Sequence, residues 1–104
     1  MGLIEDLATA AGVVPLTHGA LELLPAPEAV RLIEAAGDRG VRVLGAEGFW
    51  VVGNRVKPDM ASILDLSDVA EPAESVAVAI AFLQMQLDAS LMFDVVLDDP
   101  AIAP

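Results

Sequence analysis

Between residues 27 and 52 the hydrophobic pattern changes its period once, and that change limits the folds open to the chain. Ala29, Leu32, Ile33 and Ala36 recur at helical spacing, while Glu28, Arg31 and Glu34 fall on the other side. Pro27 suits a first helical position, Glu28 favours the positive end of the helix dipole, and Gly37 and Gly40 bracket the stop. Beyond them Val41-Arg42-Val43-Leu44 alternates as a strand does, and Phe49 to Val52 reads as a second strand. The glycines of Gly45-Ala46-Glu47-Gly48 would turn the chain between the two, holding Glu47 at an exposed corner. Gly53-Asn54 then opens a loop carrying Arg55, Lys57 and Pro58, and a third strand is expected from about Met60 to Leu66. It would begin after Pro58, whose ring removes a ladder donor, and the three strands would form an antiparallel meander.

The flanking segments extend this alternation of periods. Residues 3 to 11 place Leu3, Leu7 and Ala11 on one side of a short amphipathic helix. Pro15 to Ala20 reads as a connector, and Leu21 to Leu24 as a helical fragment ending at Pro25-Ala26-Pro27. Pro72 opens another helix, expected to run to about Ser90 with Val76, Ile80, Leu83 and Leu87 on one face. Met92 to Leu97 is a final strand, stopped by Asp98-Asp99-Pro100. The expected architecture is α+β: an antiparallel sheet of about four strands with two main helices on one face. With 104 residues, of which 56% are apolar, the chain is long enough for one core and too short for two, so a single domain 1–104 is expected. Within it, 1–20 would be a short helix and connector, 21–97 the core and 98–104 a tail.

Charge is unevenly placed. All five basic residues lie at or before Lys57, against seven acids; from Pro58 onward there are nine acids and no base, so this part carries −9 of the net −11. Such a chain repels nucleic acid and anionic membrane and speeds encounter with a cationic partner, while the same charge also keeps an apolar chain soluble. The absence of cysteine removes disulfides, thiolate zinc sites and a cysteine nucleophile. The start MGLIEDLATAAG lacks a basic region and a continuous apolar stretch, and the longest apolar run, Val76 to Leu83, is too short for a bilayer, so a cytoplasmic location is expected.

Few residues suggest chemistry. His18 is the sole histidine and has no neighbouring serine and acid in a triad-like arrangement, so it reads as a loop residue. Gly45-Ala46-Glu47-Gly48 matches the bare glycine spacing of a phosphate-clamping loop but carries an acid where a base is needed. Asp98-Asp99 lacks the spacing of a calcium loop, and nothing marks Asp65, Asp68 or Asp94 as converging on a metal; no catalytic residue, cofactor or metal site is expected. Trp50, the only tryptophan, has two readings: a core residue, or an exposed aromatic anchor beside carboxylates.

Taken together, VLGAEGFWVVGN, the preceding PEAVRLIEAAGDRGVRVLG, ILDLSD, ESVAVAIAFL and FDVVL resemble the small immunity proteins of bacterial polymorphic toxin systems, over residues 21 to 97. The matching positions are Leu44, Gly45, Glu47, Gly48 and Phe49, with Asp65, Leu66 and Ser67; the family pattern often has an aromatic before the glutamate, where this chain has Ala46. The resemblance implies an intracellular, non-enzymatic α+β inhibitor that neutralises a cognate toxin. The acidic balance suggests a basic toxin, with a nuclease as the expected class because nuclease clefts need positive potential. Candidate partner-binding residues are Glu47, Trp50, Asp94, Asp98 and Asp99. The alternative is a small-molecule-binding or small enzymatic α+β domain with a pocket between sheet and helices, drawing on His18 and Glu47; a third reading is a subunit that self-associates through its sheet face.

Overall fold

The computed structural model describes residues 2–86, 88 and 90–99. Its elements in chain order are α1 (Leu3–Ala11), β1 (Leu16–His18), β2 (Leu21–Pro25), α2 (Ala26–Asp38), β3 (Val43–Val52), β4 (Arg55–Asp65), α3 (Pro72–Gln84) and β5 (Leu91–Leu97). The architecture is α+β, with a five-stranded sheet ordered β1-β2-β5-β3-β4 in which every neighbouring pair is antiparallel. The strand at its centre is the last one made.

Helices α1 and α2 fall where the 3.6-residue pattern puts them. The four residues Leu21 to Leu24, read as helical, are instead part of β2. So short a segment cannot offset the cost of helix nucleation, whereas as a strand it gains partners on both sides, β1 and β5. The connector expected at 15–20 contains the short edge strand β1, closed onto β2 by the two-residue loop Gly19-Ala20.

The main correction concerns the stretch 43–52. It makes no corner: β3 is one continuous ten-residue strand paired with β5 on one side and β4 on the other. Gly45 and Gly48 serve close approach rather than turning. A Cβ on Gly45 would collide with the Leu64 carbonyl, and one on Gly48 would stand 2.6 Å from Ser62 Cβ and 3.2 Å from the Phe93 ring. The true turn is Gly53-Asn54, with Gly53 at φ +59° and Val52 facing Arg55.

β4 therefore begins at Arg55 and contains Pro58, contrary to expectation. The ring is accommodated because β4 is an edge strand and needs no donor on its outer side. Phe49 pairs with Pro58 and Glu47 with Ile63, so residues 59–62 bulge opposite Gly48 alone. Asp59 holds that bulge, accepting from the Ala61 amide at 3.2 Å and the Ser62 hydroxyl at 2.8 Å.

The core lies on one face of the sheet. Phe93 and Val95 of β5, Val43 and Ala46 of β3 and Leu24 of β2 meet Leu7 of α1, Leu32 and Ile33 of α2, and Ala79 and Leu83 of α3 in one buried cluster. Leu7 and Val13 belong to it, so the core reaches beyond 21–97. Phe82 and Phe93 meet edge-on, with centroids 6.0 Å apart and planes at 87°. α3 ends at Gln84 rather than near Ser90: the amides of Met85 and Gln86 bond to carbonyls three residues back, and the Gln86 side-chain amide donates to the Phe82 carbonyl at 3.1 Å. Leu87, expected on its inner face, lies outside the described residues, as do positions 100–104 of the expected tail.

One buried polar group ties helix to sheet. Ser75 is fully buried on α3; its Oγ accepts from the Val43 amide at 2.9 Å and donates to the Pro72 carbonyl at 2.8 Å. Ser75→Ala leaves the Val43 amide without a partner and is expected to destabilise the protein by about 1–3 kcal/mol in urea unfolding. Gly48→Ala forces the 59–62 bulge away from β3 and is expected to cost about 1–3 kcal/mol by overpacking, measured in the same way.

Candidate functional site

Strand alternation assigns the two faces of the sheet. Phe93 and Val95 point into the helix-packed core, so Asp94 between them belongs to the face turned away from the helices, where its β2 partner Leu23 is buried while Glu47, Ile63 and Val96 are exposed. Glu47 is its direct partner across β3 and β5, and Ile63 faces Glu47 from β4. Glu47 is exposed and Asp94 half-buried. Two predicted contact residues thus meet at the middle of the open sheet face.

A shallow concavity of about 310 Å³ lies beside them, bordered by Leu44, Glu47, Ile63, Asp65, Ser67 and Val96. Ile63 and Val96 are apolar yet 45% and 39% exposed, so the acids are interleaved with greasy surface. Asp65 sits where β4 ends and accepts from both the amide and the hydroxyl of Ser67, at 2.9 and 2.7 Å. These bonds hold its carboxyl below the ordinary range and fix the turn. The amide of Leu66 donates to the Leu44 carbonyl at 2.8 Å, so residues 44–47 and the turn at 65–67, distant in sequence, stand side by side.

Asp94 behaves in the opposite way. Loss of solvent, then the charge of Glu47, then that of Glu22 on the neighbouring strand raise its pKa from 3.8 to about 6, although a backbone hydrogen bond from Glu22 pulls the other way. Like charges directly opposite one another in a sheet are destabilising. The sheet centre therefore carries an electrostatic cost that a cation arriving on the open face would relieve.

The remaining predicted residues lie elsewhere. Trp50 pairs with Leu91 and is on the helix-facing side, half-buried against the core, so it does not share a face with Glu47. Asp98, just past β5, pairs with Arg42 at 3.4 Å. Arg42 also donates to the carbonyls of Ser67 at 3.4 Å and Val69 at 3.2 Å, joining the start of β3, the end of β5 and the segment leading to α3. Asp99 borders a different hollow near Gly2, Leu3 and Leu97. Thus Glu47 and Asp94 converge, while Trp50, Asp98 and Asp99 do not join them.

Ile63, Asp65 and Val96, which border the concavity, were not among the predicted contacts, nor was Glu22, which lies on the other face of β2 and acts on Asp94 through its charge and backbone amide. Glu22 was hidden by reading 21–24 as helix; Asp65-Leu66-Ser67 carried a legible signal, since an aspartate two residues before a serine is a turn-forming pattern. The polar residues suggested for an internal pocket stand apart: His18 is on β1 and Glu47 on β3, with β2 and β5 between them, about 14 Å at ordinary strand spacing. Among the described residues, no group of three or more His, Cys, Asp or Glu side chains is arranged to hold a metal ion. No described helix is long and apolar enough to cross a membrane. Comparison of the chain with protein-family models, with curated proteins and with solved structures found no match in any of the three.

The raised Asp94 pKa fixes the sign of a pH effect. The folded state holds this proton more tightly than the unfolded chain, so its contribution to stability is present below about pH 4 and lost as pH rises through about 6. Asp94→Asn removes that loss. It is expected to stabilise the protein at pH 7 by about 1 kcal/mol, a figure reduced for the half-exposed position, and to give no gain at pH 4. Urea unfolding at the two pH values measures the difference.

Proposed function

We propose that this chain is a non-enzymatic immunity protein that acts in the cytoplasm by binding a cognate basic toxin through the uncovered face of its sheet. The observation that carries this reading is the Glu47–Asp94 pair, set beside a shallow concavity with exposed Ile63 and Val96. The pair is costly to the isolated fold and useful to one that receives a lysine or arginine, because a cation between the two carboxylates offsets both the repulsion and the partial desolvation. The apolar residues around it supply contact area, as in interfaces where a charged centre is ringed by greasy surface that excludes water.

The resemblance at 44–47, 63–65 and Ser67 supports the same face, since those residues line one concavity. Asp98 and Asp99, with the other acids beyond Pro58, supply negative potential that steers a basic partner; Asp98 does so while bonded to Arg42. Trp50 contributes as a core residue behind the contact face. A nuclease is the favoured toxin class, because its phosphate-binding cleft must be positive and a surface of opposite sign can occlude it.

The product of the neighbouring reading frame is the partner to test. Purified and mixed with this chain, it should form a complex that suppresses its toxicity on co-expression, and Glu47→Lys should weaken binding at least tenfold, about 1.4 kcal/mol. Raising salt from about 50 to 500 mM should slow association far more than dissociation. A neighbour that is harmless and does not bind would remove the immunity reading, and association kinetics insensitive to salt would remove the steering.

A further inference from the structure

The chain carries its own source of cations for the acidic sheet face. Among the described residues, Arg31 pairs with Glu28 at 3.8 Å and Arg42 with Asp98 at 3.4 Å. Arg39, Arg55 and Lys57 have no ion pair there, and the last two stand together, exposed, on the β3–β4 hairpin. From Phe49 to Pro58 the sequence holds no acid. The tip is the two-residue turn Gly53-Asn54, too short to fold back over the two bases, and Val52 beside it is 68% exposed.

The hairpin and the acidic face match in charge and spacing. Arg55 faces Val52 and Lys57 faces Trp50, so both bases lie on one side of β4, about 7 Å apart at ordinary strand rise. Glu47 and Asp94 stand directly opposite one another on β3 and β5, which sets their Cβ atoms about 5 Å apart. Two cations thus meet two carboxylates at comparable spacing. Val52 brings an apolar side chain to the concavity of about 310 Å³ that Ile63 and Val96 border.

The occupant follows from the charges. Two bases neutralise too few phosphates to hold nucleic acid against a net charge of −11. A second copy offers the paired carboxylates that the hairpin lacks within its own chain. Exposed acids more than about 8 Å apart are largely screened at physiological salt, whereas the hairpin contact lies within that range. We propose that the β3–β4 hairpin of one copy docks through Arg55 and Lys57 on the Glu47–Asp94 face of a second copy, a head-to-tail contact that a partner binding there must displace.

Trp50 lies on the helix-facing side, so the bases across from it and the Glu47–Asp94 pair belong to opposite faces of one sheet. Such a contact is heterologous: it leaves one hairpin and one acidic face free at the ends and adds further copies instead of closing about a twofold axis. The contact rests on the cation-binding reading of the sheet face given above but not on a toxin, so a neighbouring gene product that fails to bind leaves it in place.

Sedimentation equilibrium of the full chain in about 0.15 M NaCl at pH 7, up to about 1 mM, should give a weight-average mass that rises past that of a dimer. Glu47→Lys exchanges the repulsion across the strands for attraction to Asp94, so it keeps the fold while reversing the site. Arg55→Glu with Lys57→Glu reverses the hairpin at exposed positions. Each variant should self-associate at least tenfold more weakly with unchanged circular dichroism. An equimolar mixture of the two should regain association, because each supplies the charge that the other has reversed. Unfolding of either variant cannot imitate that recovery. A wild-type chain monomeric at about 1 mM, a mass that levels off at the dimer, or a mixture that stays monomeric would overturn the proposal.

Discussion

The fold depends on how closely two neighbours approach the middle of β3. At Gly45 the Leu64 carbonyl, and at Gly48 the Ser62 Cβ and Phe93 ring, occupy the space a side chain would need. This lets one strand pair with β5 on one side and the bulged β4 on the other without splaying the sheet. Between these bare positions Ala46 turns to the core and Glu47 to the open face. The glutamate is thus held by an interior strand paired on both sides rather than by a loop, so little backbone entropy remains to be lost on binding.

The two faces of the sheet divide the work. One is sealed by three helices around Phe93, with Ser75 supplying the hydrogen bond that the start of β3 needs. The other keeps carboxylates and apolar side chains in the open, including one carboxyl whose pKa of about 6 marks an unfavourable charge. A site that costs stability without a partner is a usual mark of function, since local consistency is given up where a ligand restores it.

What was legible in the sequence was mostly what short-range physics decides. Helices α1 and α2 and strand β5 follow from periodicity and the α3 start from Pro72, whereas Gly53-Asn54, which reads as the opening of a longer loop, is the whole turn. The misreadings share one cause. A glycine that avoids a neighbouring strand and a glycine that turns the chain look the same in one dimension, so 45–48 read as a corner. Likewise Pro58 excludes a central strand but not an edge one, and strand order is not written locally.

The sequence by itself determined the α+β class, the one-sided amphipathic helices α1 and α2 and the acidic balance beyond residue 57, because these follow from residue type and spacing. Only the tertiary structure decided that β5 inserts between β2 and β3, which sets Asp94 opposite Glu47, turns Trp50 toward the helices and gives Asp98 to Arg42. Those outcomes rest on pairing between segments far apart in the chain. Their energy comes from joint burial around Phe93, which no single window of residues contains.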